Sequence, residues 1–184
     1  MKQQSELRNL VMTIIGVLVV LIGLTWANHF YAARNPGGND FLVHWMGTRS
    51  LIVDGISPYS DEVAGRIQTM VYGRLAQGGE HQLRVAYPLY SIVLFFPFAL
   101  FPDFNLARAL WMTVSEIGLL GLAIFSIRLA DWRPKFGMLS AFILFSMLWY
   151  HGLRPLINGN AVILVAFAAV AGLTAIRSKA EELA

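Results

Sequence analysis

The residues best suited to chemistry are an aspartate and a histidine one helical turn apart. Asp40 and His44 lie in the segment from Asn39 to Tyr59, which follows an apolar stretch and is too polar to enter a membrane. On a helix that begins near Asn39, both side chains project from the same face. A carboxylate there can accept a proton from a hydroxyl group, or it can cap the first turn of its own helix. The residues alone leave both roles open.

Four further side chains are candidates for binding a substrate. His44 could orient Asp40 or bind a phosphate, although a solvated histidine is the simpler interpretation. Glu116 lies within an apolar run, where a carboxylate is either functional or held by a polar group on a neighbouring helix. Arg154 has the geometry to bind phosphate and is otherwise an ordinary arginine near a membrane surface. Tyr59 either contacts substrate or fixes the loop that contains it.

Composition and motifs argue against several other classes of protein. Hydrophobic residues make up 57% of the 184 residues and charged residues 14%, and the mean hydropathy is +0.58, as expected for a membrane protein. The net charge of +3 comes without a dense basic cluster, so no nucleic-acid partner is expected. The histidines lack metal-ligand spacing and cysteine is absent, so neither a metal nor another cofactor is predicted.

Five apolar runs predict an all-α membrane protein with a single domain. A polar tail at 177–184 follows the last run, and we expect transmembrane helices over residues 10–27, 85–101, 106–127, 136–157 and 160–176. The fourth is a candidate broken or re-entrant helix that ends near Pro155. The first has some features of a cleaved secretory signal, but its length and the aromatic residues after it favour a membrane helix.

The long loop over residues 28–84 carries two predicted helices. The first begins near Asn39 and ends at Asp54, because Gly55 can adopt the left-handed cap conformation. The second begins after Ser60, a good N-cap, and its apolar residues recur at helical spacing. We expect both helices to be amphipathic and to lie next to the membrane.

Three short motifs accompany these elements. Asp40 follows the first membrane helix and precedes a Gly-x-x-Pro-Tyr sequence that ends at Tyr59. Tyr87-Pro88 approximates a Tyr-Pro-Pro motif at the second membrane helix, and Gly159-Asn160 approximates a Gly-Gln-x-Asn motif. Together they resemble the integral-membrane GT-C glycosyltransferases, and most of all the branch called GT87, which uses polyprenol-phosphate sugars.

The resemblance implies both a function and a topology. It implies a glycosyltransferase, or the N-terminal portion of one, that transfers a sugar such as mannose from polyprenyl phosphate to an extracytoplasmic glycan or lipid. It makes Asp40 the catalytic base on an extracytoplasmic loop of a multi-pass protein of the cell membrane. Its partners would be membrane lipid and the polyprenyl-phosphate donor. Counting positive charges does not by itself favour that orientation.

Two other functions remain open at this stage. The chain could be a non-catalytic multi-pass subunit derived from the same fold, with other membrane proteins as partners. Five spans would omit later helices that complete the donor groove in the family, which favours a subunit if the chain is complete. The chain could instead be a small transporter or channel component with Glu116 in the pathway.

Overall fold

In the computed structural model, which describes residues 2–178, the chain is all-helical, as the sequence predicted. No strand occurs in this described part of the chain, and a short 3₁₀ turn at Leu89–Ser91 precedes the fourth helix. The helices are α1 Lys2–Arg34, α2 Asn39–Asp54, α3 Asp61–Tyr72, α4 Ile92–Ala99, α5 Phe104–Leu129, α6 Phe136–Leu148, α7 Tyr150–Asn158 and α8 Val162–Arg177.

Two helices are long and apolar enough to cross a membrane. They are α1, over Gln4–Arg34, and α5. A third candidate span results if α6 and α7 are taken together, although the pair is bent by 43° at Trp149, whose backbone is extended. The predicted count of five spans is therefore not confirmed.

The other two predicted spans are short in the structure. The second is reduced to the 3₁₀ turn and α4, which together cover Leu89–Ala99, and α8 has 16 residues, whereas about 20 are needed to cross the hydrocarbon core. Prolines account for the length of α4. Pro88 precedes the 3₁₀ turn in an extended conformation, and Pro102 disfavours helical backbone at the residue before it.

Helix α1 continues to Arg34, past the end predicted at residue 27. The reason is local, because no glycine or proline occurs between Gly23 and Pro36 to stop the helix. The end of α1 therefore lies close in sequence to the start of α2 and to Asp40.

Helix α5 is the element against which most of the others pack. It contacts α1, α2, α4, α6, α7 and α8. Two of its glycines allow α8 to approach closely. A Cβ on Gly118 would lie 2.5 Å from Leu164, and one on Gly121 would lie 2.7 Å from Phe167. Small residues at such contacts are usual between membrane helices, where packing is the main attraction.

Helix α2 lies inside the fold rather than along a surface. Phe41 and Trp45 are buried among aromatic side chains of α4 and α5, and the Phe41 and Trp111 rings stack with centroids 5.5 Å apart. The expectation of an amphipathic helix that lies next to the membrane is therefore not confirmed for α2, because neighbouring helices cover most of its circumference. The structure of α3 is amphipathic, since Val63 and Ile67 pack on the core while the opposite side of the helix is exposed.

Candidate functional site

The centre of the candidate site is a hydrogen bond between two residues far apart in sequence. Asn160 donates from Nδ2 to Oδ2 of Asp40 over 3.0 Å. Asp40 lies in the first turn of α2 and is half-buried. Its second oxygen, Oδ1, has no hydrogen-bond partner within residues 2–178, so it is free to accept a proton or a hydrogen bond from a substrate.

The orientation of the Asn160 amide is set by its own backbone surroundings. Its Oδ1 accepts a hydrogen bond from the backbone N–H of Val162 over 2.9 Å, at the start of α8. Because the amide oxygen is used in this way, the amide nitrogen faces Asp40. The preceding Gly159 has φ +77°, and a Cβ there would lie 2.3 Å from Phe41 Cβ. Only glycine allows this turn to lie directly against α2.

His44 is buried between two aromatic rings. Its ring centroid lies 3.8 Å from that of Tyr87 and 3.9 Å from that of Phe95, and only 6% of its surface is exposed. The interpretation as a solvated histidine is therefore wrong. Burial lowers the pKa of His44 to about 4, and the nearby Asp40 carboxylate only partly opposes this shift. The imidazole is consequently neutral near pH 7 in the absence of a ligand.

Tyr59 connects two of the sequence motifs. Its hydroxyl group donates to the backbone oxygen of Tyr87 over 2.8 Å. Pro58 packs close to Gly47 of α2, where a Cβ would lie 3.3 Å from the proline ring. These contacts hold the Tyr87 ring against His44. They agree with the expectation that Tyr59 fixes the loop.

Glu116 lies in α5 and belongs to a separate polar cluster. It accepts a hydrogen bond at Oε2 from Asn28 of α1 over 2.9 Å. The same amide donates to Thr113 over 3.1 Å, and the hydroxyl of Thr113 lies 3.1 Å from that of Thr25. This arrangement corresponds to the second interpretation of Glu116, a carboxylate held by a polar group on a neighbouring helix.

Arg154 is exposed on α7. Its guanidinium donates to the Tyr150 hydroxyl group over 2.5 Å, one turn earlier in the same helix. Among the described residues no salt bridge joins it to Asp40. The structure therefore does not bring Arg154 into the Asp40 site. Nor does any group of three His, Cys, Asp or Glu side chains in residues 2–178 come together in a way that could hold a metal ion.

A buried arginine near this site was missed in the sequence. Arg108 lies in the first two turns of α5, and only 1% of its surface is exposed. It donates to the backbone oxygens of Asn35 and Ile157 over 2.8 and 3.0 Å. The available signal was a cation near the start of an apolar helix, but many membrane helices carry such residues at an interface.

An open cavity of about 810 Å³ lies against α2 and Arg108. It is bounded by the end of α1 and by parts of α2, α3 and α5. Asn39 and Leu42 line it on either side of Asp40 in the sequence, and Arg108 and Asp103 line it from α5 and the residue before it. Asp40 itself bonds to Asn160 instead of lining the cavity. The carboxylate is therefore not part of the cavity wall.

Comparisons with known proteins identify a family. The sequence model of glycosyltransferase family 87 matches residues 86–184, which is just over half of the chain. The match includes Tyr87 and Asn160, whereas Asp40, His44 and Tyr59 precede it. No curated protein matches the chain. No solved structure matches it either.

The matched region includes the residue that holds Asp40 and both motifs that contact α2. The apolar helices of the structure fit a membrane location. The chain belongs to glycosyltransferase family 87, and this membership together with the apolar helices suggests a membrane glycosyltransferase.

Proposed function

We propose that the protein transfers a sugar, mannose or another hexose, from polyprenyl phosphate to a hydroxyl group of an extracytoplasmic glycan or lipid, with Asp40 as general base. The observation that carries this proposal is the hydrogen bond from Asn160 to Asp40. It joins the only acid in the first turn of α2 to the Gly159-Asn160 motif, which lies within the residues that match the family.

The reaction that fits this arrangement is a single displacement. The acceptor hydroxyl oxygen attacks the anomeric carbon of the sugar and forms the new glycosidic bond. The bond from that carbon to the phosphate oxygen breaks, and polyprenyl phosphate leaves with the electron pair. The hydroxyl proton passes to the Asp40 carboxylate, and the configuration at the anomeric carbon inverts. The phosphate leaving group supplies the driving force, and the proposed reaction uses no cofactor.

The surroundings of Asp40 support a role in proton transfer. The bond to Asn160 occupies Oδ2 and leaves Oδ1 available, so the carboxylate has a fixed orientation and one free acceptor. His44 lies one turn along the same helix and is held by Tyr87 and Phe95. Being neutral, it does not form an ion pair with the Asp40 carboxylate.

The proposal also implies which side of the membrane the Asp40 loop faces. The donor lipid would approach from the bilayer, since the described apolar helices α1 and α5 meet at the end of the fold that contains Asp40. The loop that contains Asp40 would then face the extracytoplasmic side of the cell membrane, where polyprenyl-phosphate sugars meet their acceptors. Membrane lipid and the donor are the proposed partners.

The test is transfer of labelled sugar by the purified full chain in lipid nanodiscs. Polyprenyl-phosphate mannose and polyprenyl-phosphate glucose are offered with a membrane lipid extract as acceptor. We expect transfer by the unaltered chain and a loss of roughly 100- to 10,000-fold in Asp40→Asn, the range that general-base catalysis contributes. Asp61→Asn is the matched control, because Asp61 also lies in the first turn of a helix in this loop and is exposed.

The outcomes separate the proposed function from its alternatives. Equal rates for Asp40→Asn and Asp61→Asn would contradict the assignment of Asp40 as the base. No transfer by the folded unaltered chain with any donor would favour a non-catalytic subunit, and proteins that copurify with the chain would then be sought.

A further inference from the structure

Arg108 is a buried cation without a carboxylate partner. Within residues 2–178, no aspartate or glutamate lies within salt-bridge distance of its guanidinium, and its Nε has no hydrogen-bond partner. An arginine in a protein stays charged, so backbone dipoles have to compensate its burial. The backbone carbonyl groups of Asn35 and Ile157, which accept its two hydrogen bonds, provide this compensation.

The two carbonyl groups that Arg108 contacts belong to the ends of two helices. Asn35 directly follows α1, and Ile157 lies in the last turn of α7. The last carbonyl groups of a helix lack partners within the helix and carry partial negative charge from the aligned peptide dipoles. Two helix ends that meet at one guanidinium therefore stabilise its charge, and the planar fork of arginine suits two separate acceptors.

Each of these helix ends leads to one half of the hydrogen-bonded pair in the candidate site. The chain runs from Asn35 through a short turn to Asp40, and from Ile157 through Gly159 to Asn160. The first turn packs on the arginine itself, since a Cβ on Gly38 would lie 2.6 Å from Arg108 Nε. Arg108 thus contacts both segments just before they meet at the Asp40–Asn160 bond.

We propose that Arg108 is a positioning residue that joins the ends of α1 and α7 so that Asn160 can bond to Asp40. Its effect on the position of the two segments does not depend on what the protein catalyses. Its effect on the rate rests on the proposed function of Asp40 as base.

The position of the two segments can be measured without an activity assay. Because the chain contains no cysteine, Asp40→Cys and Asn160→Cys introduce the only two thiols. A short bifunctional thiol reagent should cross-link them rapidly in the full chain in nanodiscs. Adding Arg108→Met or Arg108→Lys should slow the reaction at least about tenfold, because a methionine has no donor and a lysine lacks the fork that reaches two carbonyl groups.

Arg154→Met is the matched control, since Arg154 is an exposed arginine of α7 that has no contact with the pair. It should leave the cross-linking rate unchanged. Size-exclusion chromatography shows which variants are folded, and Arg108→Lys carries the test if Arg108→Met does not fold. Unchanged cross-linking in a folded Arg108 variant would overturn the proposal.

Transfer kinetics test the catalytic consequence. Arg108→Lys should lower kcat by about 10- to 100-fold, the size of effect that a small misplacement of a reacting group produces, with little change in KM for the donor. Combining it with Asn160→Ala should cost no more than the worse single variant, because both act through Asp40. Additive losses would contradict the positioning role. Full activity of Asp40→Asn would instead refute the proposed function and leave the cross-linking result valid.

Discussion

Two carboxylates in this protein each accept a hydrogen bond from an asparagine amide, and their surroundings differ. Asn160 donates to Asp40 over 3.0 Å, and Asn28 donates to Glu116 over 2.9 Å. Both carboxylates are half-buried. The first pair joins the start of α2 to the turn before α8, whereas the second joins the two long apolar helices α1 and α5.

The difference lies in what else the amide and the carboxylate contact. Asn28 also bonds to Thr113, so the Glu116 pair is part of a polar chain that holds two helices together. Asn160 is fixed by the backbone of α8, and Asp40 keeps one oxygen free of hydrogen bonds within residues 2–178. The same two chemical groups therefore join two long helices in one place and leave a carboxylate oxygen without a partner in the other.

The comparison predicts opposite results for the two neutral variants. Asp40→Asn should lower the transfer rate by roughly 100- to 10,000-fold, whereas Glu116→Gln should leave it within about threefold, because only the former removes the proposed general base. Rates are measured with labelled polyprenyl-phosphate donor in nanodiscs. Movement of a solute that survives Asp40→Asn but not Glu116→Gln would instead identify a transport pathway.

Substitutions of the two asparagines should differ in the same way, with a loss of transfer rate only at the one that contacts Asp40. Asn160→Ala should lower kcat by about 10- to 100-fold, because Asp40 loses the contact that orients it. Asn28→Ala is the matched variant and should leave kcat nearly unchanged. Single-turnover transfer with saturating donor measures both. If Asn28→Ala slowed transfer as much as Asn160→Ala, the polar chain of α1 and α5 would have to be coupled to the reaction.

Removal of Glu116 should lower the stability of the protein, although it should leave the transfer rate almost unchanged. Glu116→Ala should lower the free energy of unfolding by about 1 kcal/mol, the usual worth of a hydrogen bond between membrane helices. Asp61→Ala should change it less, because its salt bridge with Arg84 is exposed to solvent. Unfolding in mixed detergent micelles gives the two values. An equal change in both would remove the distinction between a half-buried and an exposed carboxylate.

Stability should also depend on pH through His44. Its pKa in the folded chain is lowered to about 4, below the usual value of 6.5, so the unfolded chain binds a proton first as the pH falls. The contribution of His44 is therefore complete above pH 6.5 and is lost between that value and about 4.

Unfolding midpoints at pH 7.5 and pH 5 check this prediction. His44→Phe, which keeps an aromatic ring between Tyr87 and Phe95, should show less loss at pH 5 than the unaltered chain. His151→Phe is the control, because His151 is exposed. If His44→Phe lost as much stability as the unaltered chain, another group would be responsible.

Features set by neighbouring residues could be predicted well. Helix α2 ends at Asp54, as predicted, because Gly55 adopts φ +67° and caps the helix. Helix α3 begins after Ser60, whose side chain accepts a hydrogen bond from the Val63 backbone. Features that depend on packing were harder. The burial of His44 follows from aromatic residues of the segment after the long loop, and no pattern within α2 indicates it.

The sequence by itself determined that the protein is all-helical and apolar, where several helices begin and end, and which short motifs it carries. These properties depend on composition and on hydrogen bonds within a few residues. Only the tertiary structure decided that Asn160 meets Asp40 and that Arg108 joins the segments leading to both. Such contacts depend on how α1, α5 and α7 pack, because residues distant in the chain become partners only when the helices between them are in place.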